Sequence, residues 1–157
     1  MNGKSKFFQG FKPEPAARPR RQVGALPVKA DQDGTLRILL ATSRQTRRWI
    51  IPKGWPIRRL KDHRAAEREA LEEAGVLGRI AKTPLGSYLY WKCGIGDFAL
   101  CEVVVYRLDV EREAATWLEQ AERERRWFTL EEAVTAVDDI GLKEIIRNAA
   151  SPLPPVA

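Results

Sequence analysis

The sequence predicts an α/β fold, a mixed β-sheet covered by helices, and three observations lead there. Short β-rich runs (LRILLAT, GSYLYW, FALCEVVVYRL) are interleaved with two or three helical patterns, so sheet and helices share one core. No GxGxxG turn follows a strand, which disfavours a parallel dinucleotide-binding sheet. At 157 residues the chain suits one domain and is too short for two independent ones.

Taken in order, residues 1–19 are rich in Pro, Gly and Lys and read as a flexible N-terminal arm; residues 20–150 form the domain, and SPLPPVA (151–157) is a tail. QVGALPVKA alternates in part, and DQDG supplies a turn before LRILLAT, which predicts a hairpin across Asp31 to Gly34. RRWIIP is a short extended piece limited by Pro52, and KGWPIRRLK is a loop. Asp62 is placed to cap a helix from about His63 to Ala74, with Gly75 as its stop. Ala66, Ala70 and Ala74 recur every four residues, a narrow face able to approach a sheet closely. GSYLYW and FALCEVVVYRL are strands joined by the turn-like CGIGD, the second being stronger in β-branched and aromatic residues. WLEQAERERRW reads either as a charged loop or as a short helix leading into an extended Trp-Phe pair. Thr129 and Glu132 have the spacing of a capping box for a helix through about Val137, and GLKEIIRNAA predicts a last helix.

No apolar run approaches the roughly 20 residues that cross a membrane, and the N-terminus lacks the apolar core of a signal peptide. A soluble, cytoplasmic protein without a membrane partner is the expectation. Cys93 and Cys101 lack zinc-site spacing and read as reduced bystanders. The net charge of +6 suits an anionic partner, and its placement is concentrated: Arg18, Arg20 and Arg21 come early, then Arg44, Arg47, Arg48, Lys53, Arg58, Arg59 and Lys61. These residues form either a solvated basic face or a phosphate-binding rim.

The stretch PKGWPIRRLKDHRAAEREALEEAGV sets that basic loop before four glutamates, Glu67, Glu69, Glu72 and Glu73. On a helix, Glu69, Glu72 and Glu73 line adjoining parts of one surface. Their oxygens suit a hard divalent ion such as Mg²⁺, which bridges carboxylate and phosphate. Arg68, four residues before Glu72, is placed to steady it by an ion pair. The plain alternative is a solvent-facing helix held by ordinary charge pairs.

Gly54, Arg68, Glu69, Ala70, Glu72, Glu73, Gly75 and Val76 match, in order and spacing, the box of the Nudix hydrolases, and the sequence resembles that family. The resemblance implies an α/β/α sandwich around a mixed sheet, with Mg²⁺ or Mn²⁺ on the glutamate helix and hydrolysis of a phosphoanhydride bond. It further implies Glu69, Glu72 and Glu73 as metal ligands with the Lys53 carbonyl as another oxygen, Arg68 as the residue ordering the helix, and Glu73 as the most damaging single removal. One position departs: the family glutamate six residues after Gly54 is Leu60 here, which points to altered loop support.

RRQVGALPV, LRILLATSRQTRRWIIPKG and RRWFTLEEAV also look like the diphosphoinositol polyphosphate phosphohydrolase branch, whose bacterial relatives often cleave diadenosine polyphosphates. That likeness implies a small-molecule polyphosphate substrate met by Arg20 and Arg21, by Ser43 and Arg44, by Arg48 and by Lys53. Trp55 either stacks on a nucleobase or packs under the sheet. Tyr88, Tyr90 and Trp91 divide between core and pocket by alternation, Glu102 is a distal ligand or a solvated strand residue, and His63 has a surface or capping role. The alternatives are an RNA 5′-pyrophosphohydrolase and a noncatalytic nucleotide or phosphate binder. A monomer suffices for such a site, while a homodimer would cover an exposed strand edge.

Overall fold

The computed structural model describes residues 18–94 and 97–150. Residues 1–17 of the arm, the tail 151–157, and Ile95 and Gly96 in the CGIGD turn lie outside the described residues. The elements are β1 (Arg20–Ala30), β2 (Leu36–Thr42), β3 (Trp49–Ile50), β4 (Lys53–Gly54), α1 (Asp62–Ala74), β5 (Val76–Ile80), β6 (Gly86–Gly94), β7 (Asp97–Glu113), β8 (Arg125–Thr129), α2 (Leu130–Ala136) and α3 (Ile140–Asn148).

The strands form one mixed sheet ordered β3-β2-β1-β7-β5, with β4 against β1, β6 against β7 and β8 against β2. β1 and β7 run parallel, from Arg20 opposite Cys101 to Val28 opposite Asp109, and the other pairs are antiparallel. Every residue of β1 from Gln22 to Val28 is buried, because this central strand is covered on both faces. Its weak alternation in the sequence follows from that double burial.

One face packs against α1 through Val23, Ala25, Leu39, Tyr106 and Leu108, and the fully buried Ala66, Ala70 and Ala74 bring the helix close. The other face packs against α2 and α3 through Leu26, Ile38, Leu40, Val103, Leu142 and Ile146. This is the predicted α/β/α sandwich. The Asp31–Gly34 turn joins β1 to β2, with Gly34 at φ 82°, and Gly75 ends α1 in the left-handed conformation at φ 66°. The Thr129–Glu132 capping box is formed, each side chain bonding the other's backbone N–H.

Several local expectations are corrected. Lys61, not Asp62, holds the N-cap position of α1, and the Asp62 carboxylate is instead paired with Arg21 at the start of β1. His63 is buried against Tyr106, with ring centroids 6.3 Å apart, rather than lying on the surface. KGWPIRRLK is not loop throughout, since Lys53 and Gly54 pair with Gly24 and Val23. The sequence reading also missed β5, whose pairing with β7 shifts register at Leu77/Gly78; a Cβ on Gly78 would fall 1.9 Å from the Asp109 carbonyl oxygen. Of the two readings of WLEQAERERRW the loop holds, with turns over residues 118–122 before β8.

Candidate active site

The β4–β1 pairing sets the backbone of Lys53 and Gly54 against the C-terminal half of α1. Glu73, in the last helical turn and largely buried, accepts the Lys53 N–H at Oε2 (3.2 Å). Glu69, one turn earlier, lies so close to Gly54 that a Cβ there would fall 2.3 Å from Oε1. Only glycine leaves that carboxylate its place.

A strap, residues 114–124, brings the carboxylate of Glu119 to the same neighbourhood. It is fastened to α1 by Ala114 N–H to the Gly75 carbonyl (2.7 Å) and Glu119 N–H to the Glu72 carbonyl (2.9 Å). Arg123, four residues after Glu119 and with its side chain 7% exposed, reaches Oε1 of Glu73 (3.2 Å) and Oε1 of Glu119 (3.3 Å) through Nη2. No residue of the last turn of α1 is basic, and Arg125 from β8 supplies that charge, donating to the carbonyls of Ala74 (2.6 Å) and Gly75 (3.2 Å).

Burial, helped by Glu69 and Glu119, pushes the Glu73 carboxyl up to about 7, against the pull of Arg123 and Lys53. Glu69 is also raised, by burial first and then by the charges of Glu72 and Glu119. The Lys53 ammonium is pushed down to about 8 by burial, with Arg123 and Arg48 adding to the lowering and Glu73 and Asp139 opposing it. It stands 4.9 Å from the Tyr90 ring centroid, and Tyr90 donates its hydroxyl hydrogen to Gln22 (2.5 Å).

The two early arginines separate. Arg20 and Tyr90 are both in register with Cys101, so Arg20 leaves the sheet on the Tyr90 face and Arg21 on the opposite one. Arg21 is held at Asp62, and the helical rise puts that residue about 16 Å along α1 from Glu73. Arg44 reaches Glu119 (3.4 Å) and Glu122 (3.9 Å), which sets it beside the cluster. Ser43 bonds Thr46 (2.6 Å) and accepts the Arg48 N–H (3.0 Å), while the Arg48 guanidinium pairs with Asp138 (3.7 Å). Trp55 is 43% exposed, with the Lys92 ammonium 4.7 Å from its ring centroid, so it is not packed under the sheet. Tyr88 is buried and Trp91 is exposed.

The expected Arg68–Glu72 ion pair is absent among the described residues. Arg68 instead lines a cleft beside Leu60, Arg64, Leu71 and Val76. Leu60, where the box has an acid, packs against the core under α1, and its N–H donates to the Ile57 carbonyl (3.0 Å), so the loop is held by apolar contact. Sequence reasoning missed Glu119, Arg123 and Asp139. The first two do carry an i, i+4 pairing signal, yet nothing local says which surface they meet.

The sequence and the fold now agree on a family. Residues 18–149 match the NUDIX domain model, and the chain belongs to the Nudix hydrolase family. It is 34% identical over 140 residues to Nudix hydrolase 16, mitochondrial, of Arabidopsis thaliana, covering 81% of this chain and 77% of that protein. With Nudix hydrolase 18, mitochondrial, of the same plant it shares 33% over 134 residues, covering 81% and 74%. In fold it is similar to a Caenorhabditis elegans Ap4A hydrolase in a binary complex (TM-score 0.63, 19% identity, 84% and 96% covered). The NUDIX domain of Shewanella oneidensis NrtR, complexed with ADP ribose, is similar too (TM-score 0.62, 17% identity, 85% and 89% covered).

The donor chemistry suits a hard divalent ion: the carboxylate oxygens of Glu69 and Glu73 lie beside the Lys53–Gly54 backbone, where Gly54 carries no side chain to obstruct them. As they stand, no three of the acidic, His or Cys side chains among the described residues converge closely enough to ligate one ion. Both oxygens of Glu73 are already engaged, one by Arg123 and one by the Lys53 N–H.

Proposed function

We propose that this protein is a Mg²⁺-dependent pyrophosphohydrolase that cleaves a phosphoanhydride bond in a dinucleoside polyphosphate, with diadenosine polyphosphates ahead of diphosphoinositol polyphosphates. The observation that carries this reading is the seating of Glu69 and Glu73 against the Lys53–Gly54 backbone, with Glu119 joined to Glu73 through Arg123 and with Lys53 and Arg44 alongside. Glu69, Glu72, Glu73 and the Lys53 carbonyl would hold the ion, with Mn²⁺ as a substitute. When bound, Mg²⁺ neutralises phosphate oxygens and acidifies water.

The remaining roles belong to the chain. Lys53, Arg44, Arg48 and Arg20 draw and orient the phosphates, Arg by bidentate contact and Lys as a point charge. Lys53 N–H fixes the rotamer of Glu73, and Gly54 leaves room for Glu69. The half-exposed Trp55 offers a stacking face for a nucleobase, which favours a nucleotide over an inositol substrate. The same face would serve an RNA 5′ end.

Purified protein with Mg²⁺ would be offered diadenosine polyphosphates, diphosphoinositol polyphosphate, nucleoside triphosphates, ADP-ribose and triphosphorylated RNA, beside Glu73→Gln, with products resolved by anion exchange and mass spectrometry. Turnover of a diadenosine polyphosphate that needs Mg²⁺ and collapses in Glu73→Gln supports the reading. Preference for another substrate replaces the substrate class. Binding without turnover of any of them leaves a noncatalytic phosphate binder.

A further inference from the structure

Arg123 occupies the carboxylate oxygen that a metal ion would need. Its strap is pinned: besides the two hydrogen bonds to Gly75 and Glu72, Trp117 covers Gly75 so closely that a Cβ there would fall 2.4 Å from the ring. The Trp117 ring is in turn stacked by the Arg125 guanidinium, 3.9 Å from its centroid. This anchoring delivers the Arg123 guanidinium to a fixed point over α1. There Nη2 bridges Glu73 and Glu119, Nη1 donates to the Thr42 carbonyl (3.0 Å), and Nε is buried without a partner.

A guanidinium so placed is the counter-ion of a buried acidic cluster. Leaving Glu73 charged and unpaired in this setting would be costly, so the ion-free fold has reason to keep Arg123 there. A divalent ion on Glu73 has the opposite interest. It needs a carboxylate oxygen, Oε1 holds the guanidinium, Oε2 holds the Lys53 N–H, and two cations sharing one carboxylate repel at short range. We propose that Arg123 is a built-in competitor of the metal: it stabilises the empty cluster, yields Glu73 when a divalent ion arrives, and so sets the affinity of the site. After yielding, the guanidinium retains Glu119 and the Thr42 carbonyl. The inference rests on the metal site of the proposed function, and it makes Arg123 a regulator of metal affinity acting through Glu73, with no place in the reaction.

A residue that merely props Glu73 in place would help the metal bind; a competitor would hinder it. The two roles therefore predict opposite signs. Chelator-stripped wild type, Arg123→Gln and Arg123→Lys, each checked for folding by circular dichroism, would be titrated calorimetrically with MnCl₂ alone. Arg123→Gln is expected to bind Mn²⁺ about tenfold more tightly, from loss of close charge repulsion. Its ion-free melting temperature is expected to fall, with the deficit shrinking at saturating Mn²⁺. Arg123→Lys, which keeps the charge but cannot bridge two carboxylates with a planar fork, is expected to bind more tightly than wild type, and it decides the matter if the glutamine variant does not fold. Unchanged or weaker Mn²⁺ binding in the folded variants, with wild type binding normally, overturns the inference and leaves the metal site standing. If neither wild type nor variants bind Mn²⁺, the metal reading fails and the inference with it.

Discussion

Glu73 shows how much depends on one buried carboxyl. Its value in the folded protein, about 7 against 4.5 for a free glutamate, puts its titration near neutral pH in the ion-free state even with Arg123 beside it. Because the folded value is raised, its contribution to stability is present below about pH 4.5 and lost as pH rises through about 7. The unfolding free energy of chelator-treated Glu73→Gln, relative to wild type, should therefore improve between about pH 5 and pH 8, as urea unfolding at the two values would show. Lys53 works outside that window: its lowered value of about 8 makes stability rise with pH between 8 and 10.5. Gly54→Ala tests the close approach of Glu69. The carboxylate is the end of a flexible side chain and can retreat, so the fold should persist while kcat falls by about 10²-fold through misplacement near the chemistry. At this scale the helical glutamates were legible because their spacing is local. Asp62 was misread because its partner Arg21 lies on a strand that sequence proximity does not reveal, and Arg123 was missed for the same reason.

Among the elements, α1 is positioned by its smallest residues. Ala66, Ala70 and Ala74 have no exposed surface and let the helix lie close on β1, which is what brings Glu69 and Glu73 to β4. Ala70→Leu should destabilise the protein by about 1–3 kcal/mol through overpacking, measured by urea unfolding, and should weaken Mn²⁺ binding because the glutamates ride on the same helix. The alanine repeat, the glycine stop and the Thr129 capping box could all be read because each is a short-range rule. β5 could not, since VLGRI is brief, interrupted by Gly78, and earns its place by pairing with β7. The polar end of β7, DVERE, escaped for a related reason: its strand state comes from β5 alongside it, not from its own composition.

Across the whole molecule, the two covered faces and the mixed sheet followed from the interleaving of strand and helix patterns, whereas the charge map did not follow from counting. Much of the basic rim is already matched: Arg21 by Asp62, Arg44 by Glu119 and Glu122, and Arg48 by Asp138. Those exposed pairs are weak and yield readily to phosphate. Raising ionic strength from about 50 to 500 mM should accordingly raise KM for a polyphosphate substrate more than it lowers kcat, and Arg44→Ala with Arg48→Ala should flatten that dependence, as initial rates across a salt series would show.

The parallel pairing of β1 with β7 also bears on how the protein is made. Arg20 meets Cys101, and no nearer part of the chain substitutes for that neighbour. A ribosome working at 5–20 residues per second needs on the order of ten seconds to supply the intervening stretch. For that interval the first strand has β2, β4 and then α1 for company but one edge without its partner strand, and nascent-chain chaperones have a defined window in which to hold it.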